Sequence, residues 1–380
     1  MSPGAETRTA DAVVIGAGIA GASAAFALAR DGLRVVLLER ESQPAYHTTG
    51  RSAALFIKSY GNALIRRLTV ASEPFYDEPP AGFSEVPLLT PRGFMFIARR
   101  DQCERLEEEL ALARRFVPAA RFLDAQEARA MVPLLRPDYL AAAMLDPEAR
   151  DLDVGAIMGG YLRGLRAGGG ALFCDAEVLD LRREGGVWRV ESRAGRFEAP
   201  LVIDAAGPWA DEIAGLAGLA PLGLVPKRRT AFLVDPPPGT EIGSWPLVAD
   251  VEERFYIKPD AGRILCSPAD ETPSPPCDAA PEELDIAIAV DRIQRAFDLP
   301  IRHVRHRWAG LRTFAPDNTP VLGFDPRTDG FFWLAGQGGY GIQTAPAMAG
   351  LAAALLAGGS ADEMRELYAA LDPARLLSGR

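Results

Sequence analysis

Gly16, Gly18 and Gly21 stand at GxGxxG spacing in the letters G-A-G-I-A-G, with Ile19 and Ala20 between the last two. An apolar run over 12–15 precedes them. A helical pattern of Ala and Leu follows over 19–30, and a second apolar run over 34–38 ends on Glu39. The chemistry this order serves is dinucleotide binding. Gly16 makes the tight turn, Gly18 lets main chain approach a pyrophosphate, and Gly21 lets the helix lie close on the strand. The helix N-terminus offers unpaired N–H groups to phosphate, and Glu39 is placed to accept hydrogen bonds from a ribose diol. Next comes the segment YHTTGRSAAL, whose Thr48, Thr49, Arg51 and Ser52 lie within reach of a pyrophosphate and ribityl chain. A plain turn before a helix capped by Ser52 fits the same letters. Ala205-Ala206-Gly207 ends another apolar strand, and reads as close approach to a ligand or as a tight strand-to-helix turn.

The elements that must position these groups follow from periodicity. A strand-rich insertion near 85–147 carries a charged helix over 101–115, with Leu106, Leu110 and Leu112 as its apolar positions. Helical pattern resumes from 153 to 165, then a strand at 171–174 and a three-stranded meander. Strands dominate from 226 to 267, a helix fits 281–297, and 302–314 reads as a strand returning toward the dinucleotide unit. The last unit is a strand, a Gly-rich turn and an apolar helix from about Ala345. This predicts an α/β chain. A discontinuous Rossmann-like dinucleotide domain takes 1–84, 148–224 and 310–380, and an α+β substrate domain with a mainly antiparallel sheet takes 85–147 and 225–309.

Composition narrows the partners. A net charge of −10 with no basic stripe argues against nucleic acid. Four cysteines and three histidines form no CxxC and no metal-ligand spacing, so no metal is expected, and the thiols read as reduced in a cytosolic protein. The first twelve residues hold no apolar leader core, and no apolar run is long enough to span a bilayer.

Taken together, GAGIAGASAA with LLERE, YHTTGRSAAL, PKRRTAF, FYIKPDAG, HRWAGLRTFAPD and AGQGGYGIQT resemble the FAD-dependent D-amino-acid oxidase/dehydrogenase family, which includes glycine and sarcosine oxidases. The likeness runs over nearly the whole chain and is strongest to its D-arginine dehydrogenase branch. It implies FAD, held without a covalent link because the C-terminal flavin-facing segment has no cysteine. By that likeness Glu39 and Arg40 hold the adenosine and Val178 meets the adenine. Thr48, Thr49, Arg51, Ser52 and Ala53 line pyrophosphate and flavin, with Ala206 and Gly207 also at the cofactor. Gly338, Gly339, Tyr340 and Gly341 sit by the isoalloxazine, with Ile342, Gln343 and Thr344 opening the last helix. A helix N-terminus there favours the negative charge of reduced flavin.

The implied reaction is oxidative deamination: hydride passes from Cα to flavin N5, and the imino acid is hydrolysed to a 2-oxo acid and ammonia. The protein's task is placement. Arg229 and Arg312 match the family's arginines, and a planar guanidinium binds carboxylate through two parallel hydrogen bonds. Tyr60 and Tyr256 match positions where a phenol touches the carboxylate or covers the site. The sequence departs from the D-arginine dehydrogenase branch at two places: Phe94 replaces a carboxylate facing the substrate guanidinium, and Leu55 replaces a pocket histidine. With Leu247 these give an apolar pocket, so a D-amino acid with an apolar or aromatic side chain is expected and D-arginine should be poor. Other readings are a glycine, sarcosine or proline-type amine oxidase, a 2-hydroxy-acid dehydrogenase, and a flavin binder without turnover. The electron acceptor is oxygen or a quinone, and peripheral membrane contact stays open.

Overall fold

The computed structural model describes residues 7–359 and 365–377. The leader-free reading of the N-terminus falls mainly on 1–6, outside the described residues. The opening pattern folds as a strand, Ala12–Ile15, a helix, Ile19–Arg30, and a second strand, Val35–Leu38. These strands lie inside a six-stranded sheet in the order 171–173, 35–38, 12–15, 201–204, 331–335, 321–324. All neighbours are parallel except the last pair. Strands covered on both faces need apolar residues at every position, and AVVI, VVLL and FFWLA are buried throughout.

Alternation divides them between two cores. Val14, Leu37, Ile203 and Phe332 pack under the helices Ile19–Arg30, Val154–Ala167 and Gly341–Leu356. Val13, Val36, Val202 and Trp333 face the antiparallel meander built from residues 178–199.

A nine-stranded sheet carries the rest. Its longest ladder pairs Val225–Val234 antiparallel with His306–Phe314, and the strands Arg263–Ser267, Tyr256–Asp260, Leu247–Asp250, Phe94–Ala98, Ala142–Asp146 and Arg121–Asp124 continue the sheet. It is antiparallel except where Leu247–Asp250 runs alongside Phe94–Ala98. Here too alternate residues part company. Met95, Ile97, Val248 and Ile257 pack beneath the helix Glu283–Ala296, whereas Phe94, Phe96, Leu247, Ala249 and Tyr256 face the other way. A three-stranded sheet of 55–56, 150–152 and 89–91 lies at their junction.

Three local expectations change. The last helix begins at Gly341, not near Ala345, and runs through Pro346. Proline has no N–H for the Ile342 carbonyl, and the Tyr76 hydroxyl donates to that carbonyl instead. One residue on, Ser72 Oγ accepts from Ala347 N at 3.1 Å. Both come from the helix Ala63–Asp77, which repairs the ladder that Pro346 interrupts. In the charged helix, observed as Cys103–Ala113, Leu112 is exposed and Ala113 takes its inward place. Residues 302–305 lie before the strand that was expected to include them.

Candidate functional site

A cavity of about 470 Å³ runs from Glu39 and Val178 at one end to Phe94 and Leu247 at the other. Its first wall is the Gly-rich turn. Gly16 has φ +100°, and a Cβ there would lie 2.5 Å from the Ala205 carbonyl. A Cβ on Gly21 would fall 1.9 Å from the Gly16 oxygen, so helix and turn touch through glycine alone. Gly18, Ile19 and Ala20 line the cavity, and Gly18 caps the helix with no side-chain partner. Glu39 accepts from Ala17 N at 2.9 Å and from Glu41 N at 3.0 Å. Burial pushes its carboxyl up, and those two N–H groups oppose the shift.

The loop after Glu39 is no helix start: Ser52 Oγ accepts from Ala54 N, and the strand Leu55–Phe56 follows. Thr49 Oγ1 accepts from Ile19 N at 3.0 Å, tying the loop to the first helix. Thr48 Oγ1 donates to the Leu311 carbonyl at 2.6 Å, and Arg51 donates to the Ala309 and Ala279 carbonyls and pairs with Asp278. Thr48, Thr49, Arg51, Ser52 and Ala53 all line the cavity, but the Arg51 guanidinium is committed to protein partners. Arg40 lies over the Trp209 ring at 4.6 Å. Ala206, Gly207 and Val178 complete that end.

Gly338, Gly339, Gly341, Ile342 and Gln343 form the opposite wall, where the last helix begins at an N-cap without a side-chain partner. Gln343 holds Thr69 through Nε2 at 2.9 Å. Three expected residues, Thr344, Tyr340 and Gly21, do not line this cavity. Thr344 is fully buried, with its hydroxyl donated to the Tyr340 carbonyl. Tyr340 packs on Tyr60 with ring centroids 5.4 Å apart and lines a second, smaller cavity beside the first. Gly21, buried in its helix, serves packing only.

The far end is paved by the nine-stranded sheet. Phe94 lies opposite Leu247, Phe96 opposite Ala249, and Ala249 opposite Tyr256, so one apolar face meets the cavity. Leu55 and Ile57 close it from the side. At its edge sit the cations. Lys227 is directly opposite Arg312 on the long antiparallel ladder and Arg229 opposite Gly310, which puts all three cations on one face. Arg229 is buried, donating to the Asp270 carbonyl at 2.9 Å and to Glu271 at 3.0 Å. Arg312 is half-buried and, among the described residues, makes no hydrogen bond or ion pair. Burial alone would depress its pKa, but Tyr256, Tyr60, Tyr340 and Glu253 around it raise it, so it is a fixed cation. Its guanidinium rests on Gly339, where an added Cβ would lie 2.7 Å from Nη1. Tyr60 donates to Glu253 at 2.7 Å; burial, then the Glu253 charge, push its hydroxyl well above the ordinary value, so it stays a donor.

Sequence reasoning missed Glu253, Glu271 and Trp209. Glu253 has φ +55° in a tight turn, and Glu271 follows Ala269 at φ +54°, so both depend on backbone turns with no glycine to announce them.

A family model described as FAD dependent oxidoreductase matches residues 11–355. The fold is similar to the crystal structure of glycine oxidase from Geobacillus kaustophilus, with a TM-score of 0.82 at 23% identity, covering 93% of this chain and 96% of that one. It is similar to L-proline dehydrogenase from P. horikoshii, with a TM-score of 0.85 at 21% identity over 99% of this chain and 100% of that one. Mitochondrial dimethylglycine dehydrogenase of Rattus norvegicus is 22% identical over 88% of this chain, which spans 41% of that longer protein. The residues present fit FAD. The glycine cradle leaves main chain open where a pyrophosphate would lie, and two helix N-termini whose N-cap residues make no side-chain bond face the cavity from its two walls.

Proposed function

The chain belongs to the FAD dependent oxidoreductase family, and on that premise we propose that it oxidises the α-amine of D-amino acids with apolar or aromatic side chains. The observation that carries this reading is Arg312, a fixed cation on the cavity wall whose guanidinium makes no ion pair among the described residues, Glu253 nearby being held by Tyr60. A buried cation left unpaired is costly, and a carboxylate is the partner its planar fork suits. Residues 1–84, 148–224 and 310–380 are taken as the FAD-binding part, and 85–147 and 225–309 as the substrate part. The make-up of the two large sheets supports that division except at 310, which falls inside His306–Phe314, a strand of the nine-stranded sheet.

FAD, when bound, supplies the acceptor for the hydride that leaves Cα. The chain's own residues do the rest. Arg312, helped by Arg229, fixes the substrate carboxylate, and the Tyr60 and Tyr256 phenols border the same spot. Gly339 leaves room for the Arg312 fork. Phe94, Phe96, Leu247 and Leu55 receive the side chain and keep water from it. The acid directly cross-strand from Phe94, Asp146, is fully buried, accepts from Ser59 Oγ at 2.6 Å and from Glu148 N at 2.9 Å, and does not line the cavity. A guanidinium laid on Phe94 is then left unpaired, and an unpaired polar group so placed costs roughly 2–7 kcal/mol. The similarity to glycine oxidase, proline dehydrogenase and dimethylglycine dehydrogenase supports an amine substrate bearing a carboxylate, and the D configuration rests on the family likeness. Oxygen or a quinone-type acceptor then takes the electrons.

The test is anaerobic mixing of the FAD-loaded protein with D- and L-amino acids while its visible absorbance is followed. Bleaching by D-leucine, D-phenylalanine or D-methionine, at least about a hundredfold more efficient than by D-arginine, is the expected result. Bleaching by proline, sarcosine or glycine alone would assign the protein to N-substituted or unbranched amines instead.

A further inference from the structure

Oxidation of an amino acid needs a carboxylate anchor, yet two cations of the long antiparallel ladder, Lys227 and Arg229, already hold a carboxylate of the chain itself. Glu271 Oε1 accepts from Arg229 Nη2 at 3.0 Å, and its Oε2 pairs with Lys227 Nζ at 3.0 Å. The arrangement is prepared by its neighbour. Asp270 accepts from Thr230 N at 2.6 Å and from Thr230 Oγ1 at 3.0 Å, and Ser267 Oγ donates to the Thr230 carbonyl at 2.6 Å. These bonds pin the turn after Arg263–Ser267 to Val225–Val234, so Glu271 is delivered to Arg229 with little freedom left to lose. Its own side chain is 43% exposed and lines the smaller cavity, which shares Arg229 and Glu253 with the larger one. A carboxylate so exposed can swing into water, provided another carboxylate takes its place on the buried Arg229.

We infer that Glu271 is an internal competitor for the substrate carboxylate: it occupies Arg229 until substrate displaces it, and so sets the affinity and the charge the site accepts. The inference rests on the reading of Arg229 and Arg312 as the carboxylate anchor. Three cations, Lys227, Arg229 and Arg312, stand against Glu253 and Glu271, and Glu252 on the same wall is already paired with Arg254 at 2.8 Å, which leaves one positive charge in the shared region while Glu271 is in place. That suits an amino acid carrying one carboxylate and a neutral amine, the form from which hydride can leave.

Benzoate, a carboxylate with no amine to oxidise, tests this in the holoenzyme through its perturbation of the flavin spectrum. Glu271→Gln should bind benzoate about tenfold more tightly, with KM for the best amino acid falling by the same factor and kcat unchanged. Glu271→Asp, which keeps the charge, should bind benzoate within about threefold of the parent. Unchanged or weaker binding in Glu271→Gln, or equal tightening in Glu271→Asp, overturns the competitor role. Arg312→Met distinguishes the two levels. If it abolishes benzoate binding while Glu271→Gln fails to tighten it, the anchor stands and only the competitor falls. If it binds benzoate like the parent, the anchor is wrong and the competitor falls with it.

Discussion

Gly339 and Arg312 are a matched pair, and their relation is steric. Gly339 does not have a left-handed backbone, so alanine suits its conformation; the obstacle is the Arg312 guanidinium, 2.7 Å from where a Cβ would sit. That guanidinium ends a flexible side chain, so it can yield without unfolding anything. Gly339→Ala should therefore keep its FAD spectrum and melting temperature and lose ten- to a hundredfold in kcat/KM, chiefly through KM, because displacement of a positioning group by about 1 Å has effects of that size. Steady-state kinetics beside a thermal melt checks it. A drop in melting temperature with unchanged kinetics would mean the contact serves packing alone.

At the scale of elements, the helix Gly341–Leu356 depends on Ala63–Asp77. Pro346 removes one rung of its ladder, and Tyr76 supplies the missing donor to Ile342, a residue that also lines the cavity. Tyr76→Phe would leave a buried carbonyl unpaired at a cost of about 1–3 kcal/mol. In a chain of this length that lowers the melting temperature by about 1–4 °C; an unchanged melt would show that another group fills the gap. The same helix marks the limit of what the letters tell. The strand–helix–strand opening was legible because its signals are local: three glycines, an apolar period and a terminal acid within thirty residues. Pro346 misplaced the start of the last helix because its repair comes from Ser72 and Tyr76, hundreds of residues earlier. Phe94, Leu55, Leu247, Arg229 and Arg312 do meet in one cavity, but Thr344 faces away, and Arg51 spends its donors on protein carbonyls. Glu271 was hidden for the same reason. Its place is set by Asp270 bonding to a strand some forty residues away, which no periodicity encodes.

For the whole molecule, the cavity is walled by strands and turns from both large sheets, so its filling bears on stability overall. With free FAD at a hundred times its Kd, binding adds about 2.7 kcal/mol to the folded state. Stripping the cofactor should lower the melting temperature by several degrees, and adding FAD should restore it in a concentration-dependent way; a melt indifferent to FAD would mean the cavity closes by itself. The order of strands in the six-stranded sheet has one more consequence, which concerns time. The strand Leu201–Asp204 lies between Ala12–Ile15 and Phe331–Ala335. A ribosome adding about 5–20 residues per second needs roughly ten seconds to travel from one to the other. Throughout that interval the nascent chain carries an apolar strand with an open edge, a template for pairing with other chains. Rapid synthesis, or a chaperone holding that edge, therefore has more to offer this protein during its making than any single contact offers it afterwards.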